Sequence, residues 1–181
     1  SPPLLEGWPD ASRVEPAFST NDKPKGSTTM ESFVRKEHVS LENPAATTAE
    51  ALAFLAHRAV ELGVAQDEDA VLKAFQAREA LGTTGMTEGF SIPHAKSDAI
   101  QDAAVLVTKY AEPIADWESL DGKPIKASIA LLVPDGEAGT THIKLLSKVA
   151  VLLMREDFRT KVLTSTSPEE IASLVCAGIE D

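Results

Sequence analysis

Two capped amphipathic helices stand ahead of three short apolar strands, and two further helices follow; this order of elements is what most limits the fold. The first helix is expected over residues 48–62. Thr47 followed by Glu50 is a capping-box pattern, and Leu52, Leu55, Ala56, Ala59 and Leu62 recur at helical spacing before the stop at Gly63. The second is expected over 68–81, between Asp67 as cap and Gly82 as stop. Three runs of strand character come next, at 89–92, 104–110 and 125–133. The first is closed by Pro93, and Asp121-Gly122 marks a turn between the other two. A long helix is expected over 141–155, with Ile143, Leu146, Val149, Ala150 and Leu153 on its inner face. Ser167-Pro168-Glu169-Glu170 opens the last helix, with serine as cap and proline in the first turn. Mixing helices and strands in this way implies an α/β layered domain. Because the order is not a strict βαβ repeat, a mixed sheet is expected.

The chain has 181 residues, enough for one well-buried core. Residues 1–33 read as separate from it. Pro2, Pro3, Pro9, Pro16 and Pro24 punctuate a polar stretch without helical or strand period, as in an extended arm, a linker or an expression remnant. Leu4, Leu5, Trp8 and Phe18 are the residues able to dock such an arm. The folded domain is expected over 34–181. A formal charge of −11 repels a phosphate backbone, which argues against nucleic-acid binding, and it suits a basic protein partner. Cys176 is the single cysteine, so an internal disulfide and a cysteine-built metal cluster are excluded. Residues 1–10 lack a basic segment followed by an apolar one, and the apolar run at 149–154 is too short to cross a bilayer. A cytoplasmic location without membrane insertion is expected.

Four histidines carry the search for chemistry. His38 lies in a polar stretch beside Lys36 and Glu37 and reads as solvated. His57 shares a helix face with Glu50 and Glu61 and reads as a surface residue. His94 differs, because it follows Phe90-Ser91-Ile92-Pro93, an alternating strand cut off by proline. A side chain just past such a strand projects from a rigid sheet edge, where α/β proteins place ligand sites. His142 heads the long helix. Unpaired N–H groups there attract anions and disfavour an imidazolium, although, taken alone, the position is explained better by a histidine packed at the end of a core helix. Arg78 shares the inward face of its helix with Val71, Ala74 and Phe75. It needs an anionic or carbonyl partner, either its own helix end or a phosphate site. Two histidines and one inward arginine together suit a phosphohistidine site, with an imidazole as nucleophile and cationic or N–H donors around the phosphoryl oxygens.

The spaced run Arg78-Glu79, Thr84-Gly85 and Gly89-Phe90-Ser91-Ile92-Pro93-His94 resembles the signature of the enzyme IIA domains of the fructose/mannitol class. These belong to the bacterial phosphoenolpyruvate-dependent sugar phosphotransferase system. The resemblance continues through Trp117, Asp121-Gly122-Lys123-Pro124, Leu131-Leu132-Val133-Pro134, His142-Ile143-Lys144-Leu145-Leu146 and Ser167-Pro168-Glu169-Glu170-Ile171, and covers residues 34–181. It implies a three-layer domain with a mixed, mainly five-stranded sheet flanked by helices. It also implies a histidine phosphotransferase with His94 phosphorylated, His142 in support, Arg78 binding the phosphoryl group and Thr84 near that site. No metal or other cofactor is implied. The implied donor is the carrier protein HPr and the implied acceptor an enzyme IIB domain, with the membrane component enzyme IIC engaged indirectly. Ala95, Ser91 and Thr87 stand where this family usually has glycine, alanine and glycine, all small-for-small changes.

Three other readings compete. A regulatory homologue, of nitrogen-related or transcription-regulator type, would use the His94 phosphate as a signal; the 117–124 segment looks more like the fructose-transport branch. His94, Asp98 and His142 offer a two-imidazole, one-carboxylate set that suits zinc. Ser91 raises the question of a hydrolase, but no G-x-S-x-G elbow surrounds it.

Overall fold

The computed structural model describes residues 33–137, 140 and 142–180. Apart from Phe33, the arm expected over 1–33 lies outside the described residues.

The domain opens with a strand, β1 (Val39–Asn43), and continues through helices α1 (Thr48–Glu61) and α2 (Glu68–Ala80). Strands β2 (Phe90–Ser91), β3 (His94–Ser97), β4 (Ala104–Ile114) and β5 (Ile125–Pro134) follow, then α3 (Ile143–Leu152), α4 (Glu156–Thr164) and α5 (Pro168–Glu180). The strands form one five-stranded sheet in the order β1-β4-β5-β2, with β3 also paired to β5. β4 and β5 run antiparallel, while β1 on β4 and both β2 and β3 on β5 run parallel. The mixed α/β sheet expected from the order of elements is therefore the one observed.

Local chemistry explains the helix starts. The Thr47 side chain accepts from Glu50 N across 3.1 Å, and Asp67 accepts from Ala70 N across 3.2 Å, each closing an otherwise unpaired first-turn donor. Glu50 answers by accepting from Ala46 N at 2.8 Å, one residue short of the reciprocal capping-box partner. Ser167 caps α5 through Glu170 N, as expected. One face of the sheet packs beneath α1 and α2, where Leu52, Leu55, Val71 and Phe75 meet Ala95, Leu106, Tyr110, Ala130 and Leu132. The alternating residues Val105, Val107, Ile129 and Leu131 are buried as well and face the side covered by α3 and α5.

Several expectations need correction. β1 and β3 are too short and too polar to stand out from the sequence alone. The helix expected over 141–155 is α3, which stops at Leu152; α4, set off from it by the extended backbone of Arg155, was not expected. The buried face of α3 is Leu145, Val149 and Leu152, whereas Ile143 is 63% exposed, so the stripe is rotated from the one expected. His38 is not solvated: it is 2% exposed, and its Nδ1–H donates to Phe33 O at 2.8 Å. His57 is on the surface, as expected, and pairs with Glu61 and Glu68. No helix among the described residues is long and apolar enough to cross a membrane.

Candidate functional site

Pro93 interrupts the edge strand and lays out the site. Ser91 pairs with Ser128 on β5, and His94 pairs with Leu131 in the same register, so the chain loses its ladder at Ile92-Pro93 and regains it at once. His94 therefore opens β3, where it was expected to end a strand. It is also 6% exposed, where a projecting ring was expected.

The freed backbone of the interruption holds the histidine. Ile92 O lies 2.8 Å from His94 Nδ1. A carbonyl only accepts, so Nδ1 carries the ring proton and Nε2 keeps its lone pair. Arg78 Nε donates to that Nε2 across 2.9 Å, and Arg78 Nη1 donates to Gly82 O at 2.7 Å. One nitrogen of Arg78 thus bonds a carbonyl just past the end of its own helix, and another faces the histidine. The two imidazoles meet, with the His94 and His142 ring centroids 4.9 Å apart and the planes tilted by 45°. His142 sits at the N-cap of α3 in helical conformation, and its Nε2 is buried without a hydrogen-bond partner among the described residues.

Both rings are held neutral. Burial, above all, pushes the His94 pKa below the ordinary 6.5; the bond to Ile92 O opposes this, while Arg78 and His142 add to it. Burial also lowers the pKa of His142, helped by the charges of Lys96 and Arg78. An imidazole with an unprotonated Nε2, a guanidinium bonded to that nitrogen and a second imidazole with an unsatisfied nitrogen form an electrophile-accepting site furnished with donors for anionic oxygens.

Thr84 is buried beside this group, but its hydroxyl donates to Glu79 Oε1 at 2.7 Å; it reaches His94 through the main chain, since Thr84 O accepts from Ile92 N at 2.9 Å. The zinc reading fits poorly. The His94 nitrogen that would face a metal receives an N–H from a cation, and no group of three or more ligating side chains occurs among the described residues. Ser91, the hydrolase candidate, is fully buried and bonded to Ser128 Oγ at 2.8 Å. Sequence reasoning missed Glu79 and Lys96 as members of the site. Lys96 stands two residues along β3 from His94, so strand alternation puts both on one face, a placement visible only once β3 is seen as a strand.

This fold with this edge pair of imidazoles is that of a phosphocarrier domain. Residues 32–177 match the EIIA 2 family of the phosphoenolpyruvate-dependent sugar phosphotransferase system, and the chain belongs to that family. It is thus a phosphoryl-transfer component of a sugar phosphotransferase system. It is 39% identical over 144 residues, 80% of this chain and 92% of the relative, to the PTS system fructose-specific EIIA component of Haloferax volcanii. The crystal structure of nitrogen regulatory protein IIA-Ntr from Neisseria meningitidis superposes with a TM-score of 0.74 at 25% identity, over 81% of this chain and 98% of that one. The complex of enzyme IIA-mannitol with phosphorylated enzyme IIB-mannitol from Escherichia coli gives a TM-score of 0.65 at 23% identity, over 78% of this chain and 95% of that one, a likeness of fold.

Proposed function

We propose that His94 is the residue phosphorylated, through Nε2, and that Arg78 and His142 hold the phosphoryl oxygens. The observation that carries this reading is the pair of bonds on one imidazole: Ile92 O fixes the proton on Nδ1, and Arg78 Nε–H marks Nε2 as the open nucleophile. In the reaction Nε2 attacks phosphorus, the P–N bond to His94 forms, and the bond to the donor's leaving atom breaks, that atom keeping the electron pair. Nδ1 keeps its proton throughout. The Arg78 guanidinium moves from the nitrogen to the phosphoryl oxygens, and His142 Nε2 gains the partner it lacks once it carries a proton facing those oxygens.

The donor is the phosphorylated carrier HPr and the acceptor an enzyme IIB domain, which links the chain indirectly to the membrane component enzyme IIC. The likeness to the IIA–IIB complex supports the acceptor, and the fructose-specific relative supports a fructose-like sugar. Exposed Leu81 and Ile143, close in the chain to Arg78 and His142, suit apolar docking of such carriers. The location is cytoplasmic and the chemistry needs no cofactor. The test is incubation with phosphoenolpyruvate, enzyme I and HPr, followed by transfer to a cognate enzyme IIB; an adduct that enzyme IIB does not discharge rules out the transport role. The likeness to IIA-Ntr favours a second reading, in which the His94 phosphate is a regulatory signal, and the same transfer assay separates the two.

A further inference from the structure

The carboxylate of Glu79, next to Arg78 in the chain, collects three donors, with the Thr83 hydroxyl nearby as a shared fourth contact. Its Oε2 accepts from Thr84 N at 2.8 Å and from Trp117 Nε1 at 3.0 Å, while its Oε1 accepts from Thr84 Oγ1 at 2.7 Å; Thr83 Oγ1 lies 3.2 Å from Oε2, but its one proton has a shorter acceptor in Glu118 O at 2.5 Å. A carboxylate, which only accepts, is the side chain suited to such a ring of donors. The two residues it grips most closely are nearly inaccessible, Thr84 at 3% and Trp117 at 2% exposure.

From Thr84 the bonding continues inward. Thr84 O accepts from Ile92 N at 2.9 Å, and Ile92 O accepts from His94 Nδ1–H at 2.8 Å. Two residues earlier in the same segment, Gly82 O receives Arg78 Nη1 at 2.7 Å. The segment that Glu79 ties down therefore supplies the carbonyl that orients Arg78, and it braces the peptide whose carbonyl selects the His94 tautomer.

We infer that Glu79 is a positioning residue for phosphoryl transfer: it fixes the 82–85 segment, and through Thr84 and Ile92 it keeps the proton on His94 Nδ1 and the lone pair on Nε2. This rests on the proposed role of His94. Glu79 touches neither reacting atom, and its effect is geometric. A rival effect is its negative charge, which favours the protonated form of His94. The two effects separate by substitution. In Glu79→Gln the amide oxygen can take the place of Oε2 before Thr84 N and Trp117 Nε1, and the amide nitrogen can donate to Thr84 Oγ1, so the geometry survives without the charge. Glu79→Met keeps the approximate volume and removes the acceptor.

The experiment uses the full chain as wild type, Glu79→Gln and Glu79→Met. It reads the 15N shifts of the His94 ring, the thermal midpoint, and the single-turnover rate of phosphate acceptance from phosphorylated HPr. Glu79→Gln should keep the Nδ1–H tautomer and a rate close to wild type. Glu79→Met should shift the His94 tautomer balance and lose roughly 10- to 100-fold in rate, the scale of a small misplacement of reacting groups. A folded Glu79→Met protein with wild-type His94 shifts overturns the inference, and so does a Glu79→Gln protein as slow as Glu79→Met, which assigns the effect to charge. Should Glu79→Met fail to fold, Thr84→Val, which removes one donor from the same carboxylate, carries the reading: altered His94 shifts support it and unaltered ones overturn it. If the wild type takes no phosphate on His94, the proposed function fails by itself, while the ring shifts still decide whether Glu79 positions the histidine.

Discussion

Arg78 is the residue on which the two halves of the site depend, because one side chain bonds both the acceptor imidazole and the loop that braces it. Arg78→Ala removes two donated bonds from a half-buried position. The expected loss of stability is about 1 kcal/mol, whereas the rate of phosphoryl transfer should fall on the order of 10²–10³, as when one donor is taken from an anion site. Thermal unfolding and single-turnover kinetics on one preparation check the split; an unfolded variant, or one of full activity, contradicts it. The buried His94 ring makes a second prediction. Its pKa lies below 6.5 chiefly through desolvation, so at that pH the neutral form of the proposed nucleophile predominates. As the pH falls, phosphate acceptance should decline with a midpoint below 6.5. A pH–rate profile on the chain's acceptance step, with upstream carriers in excess, tests this; a midpoint at or above 6.5 refutes it.

Among the elements, the broken edge strand and the 82–85 segment place the chemistry, and Gly85 is where they meet the rest of the domain. A Cβ there would overlap Glu118 O, a backbone atom that cannot swing aside, since Gly85 also bridges to Ser91 and Ser119. Gly85→Ala should cost about 1–3 kcal/mol and slow transfer by displacing Thr84. Gly136→Ala, with open space around its Cβ, should leave the thermal midpoint alone. The sequence announced much of this scale. Caps at Thr47, Asp67 and Ser167 are local signals and came through, as did the proline that isolates His94. The misses share a cause in tertiary contact. β3 looks like part of a loop until β5 pairs with it. The burial of His38 depends on Val105 O, far along the chain and 3.1 Å away in space. Nothing local marks the donors that Glu79 receives, since Trp117 reaches it from far along the chain. Arg78, by contrast, was legible because its helical neighbours Val71 and Phe75 already turned it inward.

For the whole molecule, three histidines with lowered pKa values couple folding to pH. His38 is lowered mainly by burial, against its bond to Phe33 O, and His94 and His142 are lowered likewise. Each binds its proton less readily folded than unfolded, so the unfolded chain takes up more protons as the pH drops below 6.5. The stability these groups hold is complete above that value and is lost as the pH falls from it toward the folded pKa values. Within that window each group contributes a slope of about 1.4 kcal/mol per pH unit at most. His57, exposed and raised in pKa by Glu68 and Glu61, acts in the opposite sense: what it adds is present below 6.5 and disappears as the pH rises through its folded value. The thermal midpoint should therefore drop on mild acidification, and His38→Gln should flatten that drop; an equal slope in the variant would contradict the burial argument. The central claim, that His94 accepts the phosphoryl group and His142 assists, is tested most directly by mapping the adduct formed with phosphoenolpyruvate, enzyme I and HPr. Mass spectrometry at alkaline pH, where a phosphoramidate survives, should find phosphate on His94 of the wild type and none on His94→Ala, while His142→Ala still accepts some but passes it on poorly. Phosphate on His142 or Ser91, or a fully competent His94→Ala protein, would contradict the account.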